Sequence, residues 1–185
     1  MPLLAYYELR DNAKDITGKF GPMTLENAPF QDGGVYCNGI YKYSGKDKPC
    51  LMDTPNLSGL NFGSFSIGAN FKTGIYRRMP VFVGGRSGRW IAFYLNSDGS
   101  VSLMYNNSNY QKCTAQYRLN TWHEAIVTYD GSTGRLYLDG KLGCSADFKP
   151  NQDNDKDIST TNFSNGEVFE GVLSSLWIYN GVVVP

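Results

Sequence analysis

The chain holds one histidine, His123, and five glutamates, Glu8, Glu26, Glu124, Glu167 and Glu170. Acid–base chemistry on a glycosidic bond needs two carboxyl groups, about 5–5.5 Å apart in retaining enzymes. On one strand that means acids at alternate positions, and no such run occurs. Glu167 and Glu170 are three apart, so within a strand they would point to opposite faces. A nucleophilic triad in most forms needs a histidine base. His123 follows Trp122 directly, and a structural role is expected for it. No phosphate-binding loop, dinucleotide fingerprint or histidine-rich metal motif is present. These residues predict a binding protein; a glycanase or polysaccharide lyase is the minority alternative.

Three groups of residues could bind. The first lies on strand faces opposite the expected core: Asn70, Trp90, Tyr94, Glu124, Arg135, Tyr137 and Trp177. Aromatic rings stack on the apolar side of a sugar, and Asn, Glu and Arg hydrogen-bond its hydroxyls. The second lies in loops. Arg86 and Arg89 precede Trp90, and Asn107 sits in a polar loop between Tyr105 and Tyr110. Such loops commonly carry recognition on a rigid scaffold. The third is a candidate calcium site. Asp153, Asp155 and Asp157 fall in an acidic run, and Asp11, Asn12 and Asp15 form another oxygen-rich group. Calcium takes six to eight oxygen ligands. The spacing matches no EF-hand, and a hydrophilic loop is the competing reading.

The elements that position these residues read as strands. Phe65, Ile67, Ala69 and Phe71 alternate with Ser66, Gly68 and Asn70. Ile91, Phe93 and Leu95 share one face, as do Ala125, Val127 and Tyr129. Further strands are expected at residues 3–9, 80–84, 101–105, 135–138 and 168–179. Asp98-Gly99, Asp130-Gly131 and Asp139-Gly140 supply turns, because Asp and Gly tolerate positive φ. Residues 150–165 read as a polar loop. No segment shows helical periodicity. Strands with tight turns predict an all-β fold, a two-sheet antiparallel sandwich.

The 185 residues predict a single domain spanning 1–185, and 41% apolar residues suffice for a large core. Seventeen basic residues balance seventeen acidic ones, so no net charge steers the chain to nucleic acid or an anionic membrane. Its apolar stretches are too short to span a bilayer. The opening Met1-Pro2-Leu3-Leu4 lacks the pattern of a signal peptide. Four cysteines outside any C-x-x-C pair argue for disulfides and an oxidising compartment. The favoured pairing is Cys37 with Cys50 and Cys113 with Cys144, because each pair lies near the ends of segments expected to be neighbours. An extracellular or cell-surface domain of a longer secreted protein is the expectation. Three Asn-x-Ser triplets occur, at Asn56, Asn106 and Asn162; a chain this rich in Asn, Ser and Thr carries about that many by chance.

The segment from Trp122 through Val127-Thr128-Tyr129-Asp130-Gly131 to Leu136-Tyr137-Leu138-Asp139-Gly140 resembles the central hairpin of laminin G-like domains. Tyr6 to Leu9 with Asn12-Ala13-Lys14-Asp15-Ile16-Thr17-Gly18 resembles that family's opening strand and turn. Residues 65–73 and 169–180 are similar to later strands in the same order. The resemblance implies a jelly-roll sandwich of the concanavalin A-like lectin and glucanase superfamily, related to pentraxins. It implies a lectin-like module whose partner is a glycan or glycoprotein. A protein-adhesion or structural domain of a surface or viral assembly is the alternative partner class. Calcium is the cofactor the resemblance suggests.

Overall fold

A computed structural model describes residues 2–40, 50–85, 90–106, 109–151, 155–162 and 166–185. Within these, strands numbered in chain order form two large antiparallel sheets. The first sheet runs β13 (Lys141–Asp147), β12 (Thr133–Leu138), β11 (His123–Tyr129), β6 (Phe65–Lys72), β17 (Glu170–Asn180), β4 (Gly34–Asn38), β3 (Phe30–Gln31). The opening strand β1 (Leu3–Glu8) also pairs with β17. The second sheet runs β10 (Asn109–Gln116), β9 (Ser100–Tyr105), β8 (Ile91–Leu95), β7 (Met79–Gly84), β14 (Ile158–Ser159), β5 (Leu51–Asp53), β2 (Thr24–Glu26). A short hairpin of β15 (Thr161–Asn162) and β16 (Glu167–Val168) packs near β7.

Alternation explains the sandwich. Phe65, Ile67, Ala69 and Phe71 of β6 lie opposite Tyr129, Val127, Ala125 and His123 of β11, and all eight face inward. Phe65 stacks on Tyr129 at 5.5 Å between ring centroids. From the second sheet Phe93 meets Phe71 at 6.0 Å, and Trp90 meets Phe65 edge-on at 5.1 Å. The expected strand faces of β6, β8 and β11 are those observed.

The disulfides are Cys37–Cys50 and Cys113–Cys144. Each joins one sheet to the other. Cys37 is on β4 and Cys50 immediately precedes β5; Cys113 is on β10 and Cys144 on β13. The sandwich is therefore cross-linked towards both of its edges. Such links act largely by restricting the unfolded chain.

Several strands escape the sequence pattern. β2, β3, β14 and β15 have only two or three residues each, too few to show alternation. β14 and β15 fall within residues 150–165, read from sequence as loop. β10 and β13 are edge strands with mostly exposed side chains, so no apolar periodicity marks them.

The turn after β1 is organised by one carboxylate. Asp15 Oδ1 accepts from the backbone N–H groups of Tyr6 (2.9 Å) and Thr17 (3.0 Å). Its Oδ2 accepts from the Thr17 hydroxyl (2.6 Å) and the N–H groups of Lys19 (3.1 Å) and Phe20 (3.0 Å). Five donors converge on it, so Asp15 organises the turn. Burial alone would raise its pKa, but the bonds from Thr17, Tyr6 and Phe20 outweigh it and hold the carboxyl below its ordinary 3.8. A depressed pKa contributes stability above the unfolded value and loses it as pH falls. Asp15→Asn is expected to cost about 2–3 kcal/mol at neutral pH. Urea titrations of both proteins should show that difference shrinking below about pH 4.

Candidate functional site

The outward face of the first sheet gathers the residues best suited to a ligand. Because β6 buries its odd-numbered residues, Ser66, Gly68, Asn70 and Lys72 face out. Register then sets cross-strand rows. Tyr6 lies beside Trp177, Trp177 beside Gly68, Gly68 beside Ile126, and Ile126 beside Tyr137. One row away, Glu8, Ser175, Asn70 and Glu124 are neighbours across four strands.

The centre of this face is Trp177. A Cβ placed at Gly68 would overlap the six-membered ring of the Trp177 indole. The indole therefore lies on the backbone of β6, in the space a side chain would fill. Glycine at position 68 is what lets a large ring lie down instead of standing on edge. Trp177 is half-buried, and Tyr179 meets it edge-on at 5.6 Å. Leu3, Tyr6, Glu124, Trp177, Tyr179 and Val183 line a depression of about 210 Å³.

A second depression, about 410 Å³, is lined by Arg10, Asp32, Gly33, Asn70, Trp122 and Ser174. Asn70 donates to the Ser175 hydroxyl at 2.8 Å, which fixes its amide and leaves its carbonyl oxygen available as an acceptor. Glu124 is half-buried and its carboxylate accepts no bond from the described residues. Trp122 is 41% exposed, with the Lys72 ammonium 5.3 Å over its ring.

Of the residues expected from sequence, Asn70, Glu124, Arg135, Tyr137 and Trp177 share this face. Two of them are less available than expected. Tyr137 is almost covered, at 8% exposure. Arg135 donates to Asp130 at 2.6 Å. The Arg135 guanidinium, with the Thr133 and Ser132 N–H groups and the Ser132 hydroxyl, holds the Asp130 carboxyl far below its usual range. That pair closes the β11–β12 turn.

Trp90 is a correction. It is fully buried between the sheets, edge-on to Phe62 at 5.0 Å and to Phe65. A Cβ at Gly84 would collide with its indole, so this tryptophan too occupies the space of a missing side chain. It faces the core because residue 90 precedes β8 and does not follow that strand's alternation.

Tyr94 is a second correction. It sits on the second sheet, fully buried. Its hydroxyl donates to Glu167 at 3.0 Å and accepts from the Asn162 amide at 2.6 Å. The Arg78 guanidinium lies 5.0 Å over its ring, 5.9 Å from Tyr110, and donates to Glu167 at 3.1 Å. This network braces the β15–β16 hairpin against the second sheet. Asn162, one of the Asn-x-Ser positions, is 1% exposed. Arg78 and Glu167 were not legible as partners, being 89 residues apart in sequence. Tyr105 stacks on Phe148 at 4.4 Å and packs against the core. Tyr110 is 60% exposed but lies on the second sheet, away from Trp177. Arg86, Arg89, Asn107 and Asp153 lie outside the described residues.

Asp155 and Asp157 join Asp53 and Asn56 around a depression of about 280 Å³ built on the second sheet. Among the described residues, no group of three or more histidine, cysteine or acidic side chains is arranged to hold a metal ion. His123 is structural in its contacts. Its Nε2 accepts from the Arg118 N–H at 2.9 Å, and its Nδ1 lies 2.8 Å from Asp139, which also accepts from the Glu124 N–H.

These features define a class: a disulfide-linked, two-sheet antiparallel β-sandwich carrying an aromatic platform on one sheet face. The chain belongs to the concanavalin A-like lectin/glucanases superfamily, whose family profile matches residues 44–185. No curated protein matches the sequence. Among solved structures, domain 4 of a GH43 extracellular arabinanase from Geobacillus stearothermophilus, in complex with arabinotriose, superposes with a TM-score of 0.76. The two are 19% identical over 97% of this chain and 92% of that one. Trypanosoma rangeli sialidase gives 0.76 at 11% identity, over 98% of this chain and 31% of its own. The binding domain of botulinum neurotoxin DC, in complex with SialylT, gives 0.65 at 14% identity, over 97% of this chain and 47% of its own. At these identities the likeness is one of fold.

The two tryptophan–glycine pairs make a contrasting prediction. Trp90→Ala should lower stability by about 3–5 kcal/mol, because it empties a buried site. Trp177→Ala, on a half-exposed face, should cost less than about 2 kcal/mol. Urea unfolding of both variants measures the difference.

Proposed function

We propose that the chain is a carbohydrate-binding module acting outside the cell, with the outward face of the first sheet as its sugar platform. The observation that carries this is the Trp177 indole laid on Gly68. It presents a broad apolar surface beside Tyr6, with Asn70 and Glu124 one row away. A sugar ring offers the complement: a C–H face for the indole and equatorial hydroxyls for amide and carboxylate. Two structures of similar fold, an arabinanase domain in complex with arabinotriose and a toxin binding domain in complex with SialylT, support a glycan as partner. The two disulfides support an oxidising compartment.

A non-catalytic role is favoured by how the acids are used. Glu167 is paired with Arg78 at 3.1 Å and Glu170 with Arg77 at 2.7 Å, so these two glutamates serve separate ion pairs. Glu124 stands on the platform with Asn70, not a second acid, as its neighbour across the β6–β11 pair.

A glycan array probed with the purified protein, in calcium and in chelator, tests the reading. Selective binding is expected, and Trp177→Ala should weaken it about tenfold or more, the equivalent of about 1.4 kcal/mol of stacking and burial. Binding should persist in chelator, since the platform and the Asp53–Asp157 depression lie on different sheets. Loss in chelator would instead assign calcium to the protein's sugar binding. A blank array in both conditions would refute the sugar reading and favour a protein partner.

A further inference from the structure

The two depressions on the first sheet are neighbours. Glu124 lines one and Asn70 the other, and these residues are direct cross-strand partners. The depressions therefore adjoin at the Glu124–Asn70 pair, and a ligand lying across both would follow one groove over β17, β6 and the start of β11. Trp122 stands at one end and Trp177, on Gly68, at the other. Gly68 faces Ile126, so the two tryptophans are four residues apart along β11. At about 3.4 Å per residue that is about 14 Å along the strand direction, longer than a single sugar ring.

Charge decides what the middle of the groove accepts. The Glu124 carboxylate and the Asn70 carbonyl oxygen are both acceptors, and neither receives a bond from the described residues. Asp32 adds another carboxylate at the Trp122 end. The nearby cations are engaged: Arg10 pairs with Glu8 at 3.3 Å, and Lys72 lies over the Trp122 ring. Hydroxyl groups satisfy such acceptors by donating to them. A carboxylate or sulfate placed there would meet like charge and bring no proton to share.

Resting on the sugar-platform reading above, we propose that this groove binds a linear, uncharged oligosaccharide along its length, with aromatic contacts at Trp177 and Trp122 and hydroxyls donating to Glu124 and Asn70 between them. The site is then selective for the interior of a neutral chain. It discriminates against acidic glycans of the same length.

Calorimetric titration with neutral linear arabino- and gluco-oligosaccharides, from disaccharide to hexasaccharide, tests this, with oligogalacturonides as the acidic series. Affinity for the neutral chain that binds should climb about tenfold or more as the chain grows long enough to reach both tryptophans, then level off. Trp122→Ala should remove that climb, so that affinity no longer rises with chain length. Trp177→Ala should weaken every length. Glu124→Gln, which keeps an acceptor and removes the charge, should narrow the preference for neutral over acidic chains. Thermal melts of each variant check that the fold is intact. Affinity independent of chain length, or acidic chains bound as tightly as neutral ones, would overturn the groove while leaving the Trp177 platform standing. Failure of the wild-type protein to bind any chain, together with a blank array, would remove both.

Discussion

The register between β6 and β11 is the constraint on which the rest depends. It places Phe65, Ile67, Ala69 and Phe71 against Tyr129, Val127, Ala125 and His123, and these eight side chains form the floor of the core. The same register fixes the other face. Gly68 must lie between Trp177 and Ile126, and Asn70 must lie beside Glu124. A slip of one residue would turn four core side chains of β6 to solvent. Core and outward face are thus two consequences of one pairing. That pairing is secured by burial.

The glycine–tryptophan pairs show how one device serves two ends. At Gly84 the missing side chain admits Trp90 into the core, where Phe62 and Phe65 meet it edge-on. At Gly68 it lets Trp177 lie on the outward face. The chemistry of the two pairs is identical. What differs is which side of its sheet the glycine faces, and only the inward pair is sealed by the opposite layer. The outward indole keeps part of its surface in water, and that exposed apolar area is what the proposed sugar ring would cover.

Polar side chains outside the groove are mostly spent on architecture. Asp15 gathers five donors to hold the turn after β1, Asp130 holds the β11–β12 turn with Arg135, and Asp139 ties His123 to the start of β11. Glu167 and Glu170 hold Arg78 and Arg77. Against this background Glu124 stands out. It is the platform residue whose charge is not used to support the fold.

The sequence by itself determined the sandwich, because period-two alternation in residues 65–71, 91–95 and 123–129 leaves one buried and one outward face per strand, whatever the strand's neighbours. It also placed Asn70, Glu124, Arg135 and Tyr137 away from the core, with Trp177 joining them once a register is assumed, and it favoured the cysteine pairing that the structure has. Tertiary structure alone decided which outward faces coincide. Tyr94 alternates as cleanly as Trp177, yet its strand belongs to the other sheet and Arg78 and the β15–β16 hairpin cover it. Trp90 and Trp177 look alike as aromatic residues in or beside apolar strands, and only the location of Gly84 and Gly68 tells them apart. Alternation is a local property of the backbone, readable over a few residues. Strand order, and the ring that lies on a glycine more than a hundred residues away in sequence, are set by packing between distant segments that no local pattern encodes.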